Sequence, residues 1–231
     1  MEKAKQFLID TFGTPKRLFI LGLIFTIPFL FLVWMSFNDW GFIGTLDDMI
    51  GREFYEERRP WLNVFFIVIT RMGDVWFVAL LTTIIFLLVF FYFKNRRLAI
   101  WYALTVAMGA GVLNQLLKFF FQRPRPSAFE HLVVQHGFSF PSGHAMGSVI
   151  TYGALLFLII RLSSNWKLPL ISAVVLIPLI GLIGISRIYV GVHYPSDVIG
   201  GYSLGLATLS ISLGLYSLSL KRREVRKGDQ V

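Results

Sequence analysis

The chain is 231 residues long, 55% hydrophobic and only 15% charged, with 23 phenylalanines and no cysteine. The apolar excess excludes an ordinary soluble domain, in which about a quarter of the residues are charged; the missing cysteine excludes disulfides and thiolate metal sites. A net charge of +9 does not mark a nucleic-acid face here, because the basic residues lie scattered in short segments between apolar runs.

Six runs are predicted to cross a bilayer, over about 18–36, 75–93, 98–118, 144–161, 168–185 and 198–219. Each comes close to the ~20 residues that span a hydrocarbon core of about 30 Å. Helices satisfy their own backbone in lipid, so the fold class is an all-α membrane bundle, read as a single domain over 1–231. The first run follows Lys16-Arg17, and no small-x-small cleavage site comes after it, so it is read as an uncleaved helix rather than a signal peptide. Two small-residue faces, Ala103-x3-Ala107-x3-Gly111 and Gly201-x3-Gly205, are predicted to pack against neighbouring helices.

Lysine and arginine orient the bundle. Lys3, Lys5, Lys16, Arg17, Lys94, Arg96, Arg97, Arg161, Lys167 and the tail residues Lys221, Arg222, Arg223, Arg226 and Lys227 fall on one side of a six-span chain. They are 14 of the 22 basic residues, and the positive-inside rule makes that side, with both termini, cytoplasmic. The outer side receives the segments 37–74, 119–143 and 186–197. Within the first, Trp61–Thr70 is too short to span and is predicted to lie along the interface as a packing helix, or alternatively as a lid for a lipid.

The other two outer segments, with Lys118 at the span end before them, hold Arg123, Arg125 and Arg187 on the face that topology leaves poor in positive charge, which calls for an anionic partner. Lys118 also reads as a snorkelling anchor, and the Arg-Pro-Arg-Pro turn at 123–126 as a headgroup anchor. Ser142 suits the N-cap of the fourth span; Gly143 permits close approach to the backbone, and the free amides of that helix start suit a phosphate. His144 is not needed for a plain helix start. In Ser186-Arg187-x5-His193-x3-Asp197, the arginine suits an anion, the histidine suits nucleophilic attack or proton transfer, and the aspartate suits orienting that histidine. Pro195 is expected to open the last helix, with Asp197 in its first turn. Glu130, His131 and His136 read as solvent-exposed loop residues, with substrate gating as the alternative.

Lys118-x6-Arg125-Pro126, Pro141-Ser142-Gly143-His144 and Ser186-Arg187-x5-His193-x3-Asp197 together resemble, in order and spacing, the three signature motifs of the type-2 phosphatidic acid phosphatase superfamily. The six-span frame is similar to its bacterial membrane lipid phosphatase branch, and the resemblance covers about residues 75–219. It implies a lipid phosphate or diphosphate phosphatase of the cell membrane, with a site at the outer interface within 118–197 and no metal or other cofactor. It also implies roles: His193 as the nucleophile that becomes phosphohistidine, Asp197 as its orienting carboxylate, and His144 as general acid, then base. Lys118, Arg125 and Arg187, with Ser142, Gly143 and the helix amides, would bind the phosphate. Arg123 falls in a variable spacer, and no role transfers to it. The implied substrates include undecaprenyl diphosphate, phosphatidylglycerophosphate and phosphatidate. A lipid phosphotransferase or a non-catalytic headgroup-binding or transport protein are the other readings; the second gives no reason for two histidines and Asp197.

Overall fold

The computed structural model describes residues 14–128 and 130–228, with side chains as far as Arg222. The tail residues Lys3 and Lys5, and the side chains of Arg223, Arg226 and Lys227, lie outside that description. Among the described residues the secondary structure is helical throughout: α1 (Pro15–Ser36), α2 (Gly41–Glu56), α3 (Pro60–Arg71), α4 (Val75–Leu87), α5 (Arg96–Val106), α6 (Asn114–Phe121), α7 (Gly143–Leu162), α8 (Lys167–Tyr189) and α9 (Pro195–Gly228). A π-helical stretch, Leu88–Tyr92, continues α4, and another, Ala107–Leu113, joins α5 to α6. Six helices are long and apolar enough to cross a membrane: Pro15–Ser36, Val75–Tyr92, Arg96–Phe121, Gly143–Leu162, Lys167–Tyr189 and Pro195–Arg222. They match the six predicted runs.

α7 and α9 form the centre. Just over half of each span, 56%, is buried inside the protein, against 11% for the α4 and α8 spans, whose apolar side chains are left to face lipid. α9 packs chiefly on α1 and α7, and α7 also packs on α8. Gly201 and Gly205 permit the α7–α9 contact: a Cβ at Gly201 would sit 2.6 Å from Ser142 O, and one at Gly205 would sit 2.9 Å from Val149 Cβ. The expectation for that small-residue face therefore holds. The other face does not. A Cβ at Gly111 meets nothing within 4 Å, whereas one at Gly109 would lie 2.8 Å from Ile150 Cδ1. The wider π-helical turns rotate the chain, so that Gly109 rather than Ala107 and Gly111 meets α7.

Two further corrections concern the outer segments. Residues 41–56, part of the outer segment for which no helix was predicted, form the 16-residue helix α2, which packs on α8 and α9. α8 runs on to Tyr189, so Arg187 lies in its last turn and not in a connecting loop. The predicted interfacial helix is α3, packed on α8, and it is joined to α4 by a short turn. The described residues of segment 122–142 form no helix or strand, and Pro124 and Pro126 end α6 at the segment's start.

Candidate active site

Local geometry builds the third motif. α8 ends at Tyr189, a turn follows, and Pro195 begins α9 with its ring already at a helical φ. Asp197 then falls in the first turn of α9, four residues after His193. Its Oδ2 accepts from Tyr194 N at 2.9 Å and lies 3.2 Å from His193 Nδ1. A carboxylate accepts only, so Nδ1 carries the hydrogen and Nε2 is the unprotonated nitrogen, which accepts from Arg125. That Nε2 is 3.1 Å from Arg125 Nη1. Burial, then the charges of Lys118, Arg187 and Arg125 and the nearby His144, hold the His193 imidazole well below its ordinary pKa of 6.5. The ring is neutral at pH 7, with a nucleophilic nitrogen facing the cations.

The second motif is locked beside the third. Ser142 N donates to Asp197 O at 3.0 Å, while the fully buried Ser142 caps α7 by accepting from Ala145 N at 3.4 Å. Phe140 anchors the approach: it stacks on Phe29 at 5.7 Å and meets Trp40 and Phe121 edge-on at 5.1 Å each. A Cβ at Gly143 would lie 2.8 Å from Asn114 Oδ1, so the glycine lets α6 approach the start of α7 closely. His144 faces the same end of the bundle, with its Nε2 2.9 Å from Asp74 Oδ1.

The cations converge on this point. Lys118, in the last turn of α6, donates to Phe138 O at 2.6 Å. Arg125 donates to Val192 O at 2.7 Å, Gly137 O at 3.0 Å and the His136 and Phe138 carbonyls at 3.1 Å. Arg187 is 1% exposed; its Nη1 donates to Thr70 Oγ1 at 2.6 Å and its Nη2 to Gln135 Oε1 at 2.7 Å. Arg187 Nε is buried without a hydrogen-bond partner. The ion pairs among the described residues involve Arg59, Arg123, His144 and His193, and none of these three cations. Three positive groups held only by neutral acceptors, one with an orphaned donor, suit a multiply charged anion placed against His193 Nε2.

The eight residues singled out in the motifs thus come together from α6, α7, α8, α9, the turn between α8 and α9, and the 122–142 segment. Arg123, to which no role transferred, proves central. Its guanidinium is 6% exposed, with Nη1 2.7 Å from Asp197 Oδ1 and Nη2 2.8 Å from Asp47 Oδ2, and it lies between the Trp40 and Tyr194 rings at 3.6 and 4.1 Å. Asp47, from α2, also accepts from Ser196 N at 2.8 Å and is 2% exposed. Sequence reasoning missed Asp47, Asp74, Asn114, Thr70 and Gln135 as members of the site. The first arginine of Arg-Pro-Arg-Pro, Arg123, and a carboxylate directly before an outer helix start, Asp74, were the available signals. Of the loop residues, His136 and Glu130 are exposed as expected. His131 is half-buried, with its Nε2 2.7 Å from Pro126 O.

Comparison with known proteins agrees with this geometry. The model of the PAP2 superfamily matches residues 98–220, which contain all three motifs. The phosphatidylglycerophosphatase B of Bacillus subtilis is 37% identical over 171 residues, covering 71% of this chain and 80% of that protein. An undecaprenyl-diphosphatase of Sulfolobus acidocaldarius is 32% identical over 127 residues, covering 52% of this chain and 57% of the relative. The crystal structure of a transmembrane PAP2-type phosphatidylglycerolphosphate phosphatase from Bacillus subtilis superimposes with a TM-score of 0.73 at 32% identity, covering 87% of this chain and 95% of that one. The relatives are named as phosphatases of lipid phosphates, and the six apolar helices agree with a multi-pass membrane protein. The chain belongs to the PAP2 superfamily and is a multi-pass membrane phosphatase, a phosphoric ester hydrolase.

Proposed function

We propose that the protein hydrolyses a lipid phosphate or diphosphate without a metal ion, through a phosphohistidine on His193. The observation that carries this reading is the neutral His193 ring. Asp197 sits 3.2 Å from its Nδ1, and its unprotonated Nε2 accepts from Arg125, one of three cations with no carboxylate partner among the described residues. In the first step the Nε2 lone pair attacks phosphorus, the bond to the leaving oxygen breaks, and that oxygen takes a proton from His144. Asp197 stabilises the positive charge that appears on the His193 ring. In the second step a water oxygen attacks phosphorus and gives its proton to His144; the P–N bond breaks, its electron pair returns to Nε2, and orthophosphate leaves. Lys118, Arg125 and Arg187 exchange their carbonyl and side-chain acceptors for phosphate oxygens, and the α7 amides behind Ser142 and Gly143 add dipolar stabilisation.

The substrate class follows from the frame. A site at the end of a lipid-embedded bundle favours a phosphate carried on a lipid, and relatives named for phosphatidylglycerophosphate and undecaprenyl diphosphate support that class. The charge pattern supports cytoplasmic termini and a site on the outer face of a cell membrane. His193→Ala tests the reading: phosphate release from a panel of lipid phosphates is expected to vanish while the protein remains folded in detergent. Substantial turnover by that variant would contradict the nucleophile assignment. Transfer of phosphate to an added lipid alcohol with little free phosphate would instead show a phosphotransferase.

A further inference from the structure

The turn joining α3 to α4 forms a wall of the site that none of the three motifs supplies. Tyr152 Oη holds it by donating to Met72 O at 2.7 Å. A Cβ at Gly73 would lie 2.7 Å from His144 Cδ2 and 2.9 Å from Ile183 Cγ2, so the backbone presses against the imidazole with no room for a side chain. The next residue, Asp74, reaches the same ring: its Oδ1 is 2.9 Å from His144 Nε2, and its Oδ2 accepts from Trp76 Nε1 at 3.2 Å. Burial works against ionisation of Asp74, but the His144 hydrogen bond and charge, with help from Trp76 and Arg187, outweigh it and hold the carboxyl below its ordinary 3.8.

We propose that Asp74 is the positioning residue of the acid–base histidine, and that through His144 it equips the enzyme for phosphomonoesters whose leaving group is a strongly basic alkoxide. This rests on His144 acting as the acid in the reading above. With Nε2–H given to Asp74, Nδ1 is the nitrogen left for the reaction: protonated it is the acid, neutral it is the base. The charged and titratable groups facing the ring are Asp74, Arg187, Lys118 and His193. Two of them, Arg187 and Lys118, are cations that oppose an imidazolium, and Asp74 is the carboxylate placed to offset them. Losing it disfavours the acid form and frees the ring to turn.

General acid catalysis helps most when the departing oxygen is a strong base. An alkoxide leaving a lipid monophosphate needs the proton. A nitrophenolate, or the phosphate leaving a diphosphate, departs without one. The loss on removing Asp74 therefore has to depend on the leaving group, which a purely structural carboxylate would not produce.

The test uses the full chain in detergent, with dodecyl phosphate and p-nitrophenyl phosphate as probes and kcat/KM as the readout, because that ratio reports transfer to the enzyme and not the later hydrolysis. Asp74→Asn and Asp74→Ser are expected to lose about 10²-fold on dodecyl phosphate and to stay close to the parent on p-nitrophenyl phosphate. The serine variant keeps a hydroxyl at the N-cap of α4. Equal losses on both probes, no loss on either, or failure of both variants to fold would assign Asp74 to structure and overturn the proposal. His144→Gln separates the two layers. If it shows the leaving-group split and the Asp74 variants do not, only the positioning role fails; if it shows none, the acid assignment itself fails.

Discussion

Two aspartate–histidine pairs face each other across the site, and they are built differently. In His193–Asp197 the carboxylate meets Nδ1 at 3.2 Å, and the side chains are 2% and 0% exposed. In His144–Asp74 the carboxylate meets Nε2 at 2.9 Å, and the side chains are 11% and 31% exposed. The first carboxylate is pinned again by Arg123, which is itself pinned by Asp47 and two aromatic rings. The second, beyond the histidine, accepts from Trp76. A ring that must form a bond to phosphorus at one fixed point gains from rigidity. A ring that must gain and lose a proton, as proposed for His144, is better served by the less buried pair. The opposite ring polarity fits the proposed division, leaving Nε2 unprotonated on His193 and Nδ1 as the nitrogen not bound to the carboxylate on His144.

The comparison breaks first at His193. His193→Ala is expected to lower turnover by about 10⁴-fold or more, as removal of other catalytic nucleophiles does, and activity within tenfold of the parent would sink the division of roles. Next comes the buried chain of charges. Arg123→Met leaves Asp47 and Asp197 as uncompensated buried carboxylates, a cost of about 3–5 kcal/mol. Both the melting temperature and the activity are expected to fall. Adding Asp47→Asn removes one of the two stranded charges, so the double variant should melt higher than Arg123→Met alone; further loss would show that Asp47 acts independently of Arg123. Smaller again is the leaving-group split expected of the Asp74 variants.

A pH effect on stability should report on His193 as well. His193 is held well below 6.5 in the folded chain, so the unfolded chain binds the proton more readily. Stability is intact above pH 6.5 and declines as pH falls below it. Asp74, held below 3.8, keeps its charge through that same window and contributes no slope there. The melting temperature of the detergent-solubilised protein is therefore expected to drop as pH is lowered from 7 to 5, with a shallower drop in His193→Asn. Equal slopes in the two proteins would contradict a neutral, buried His193. The smallest expected effect is that of a chelator. Dialysis against EDTA should leave turnover unchanged, and strict dependence on an added divalent ion would contradict the metal-free mechanism.

The pairs also differ in how far they could be read from the sequence. His193 and Asp197 sit four residues apart across a helix start, so their contact is a local consequence of Pro195. His144 and Asp74 are 70 residues apart, and Arg123 and Asp47 are 76 apart. No spacing rule links such residues, because helix packing rather than local geometry brings them together. Charge counting hid α2: Asp47, Asp48, Arg52, Glu53 and Glu56 make residues 41–56 look like solvated loop, yet Asp47 turns inward to Ser196 and Arg123. The six spans were legible because bilayer thickness dictates their length. The exact end of α8 was not, because Arg187 continues the helix as a buried charge where an apolar run would have stopped.

Trapping the intermediate tests the central claim most directly. The protein is mixed with a lipid phosphate labelled on its phosphoryl group, quenched in alkali, where phosphohistidine survives, and mapped by peptide. Label on Nε2 of His193, absent from His193→Ala, is the result expected here. A burst of product with no label on the chain, or label on His144 instead, would contradict it.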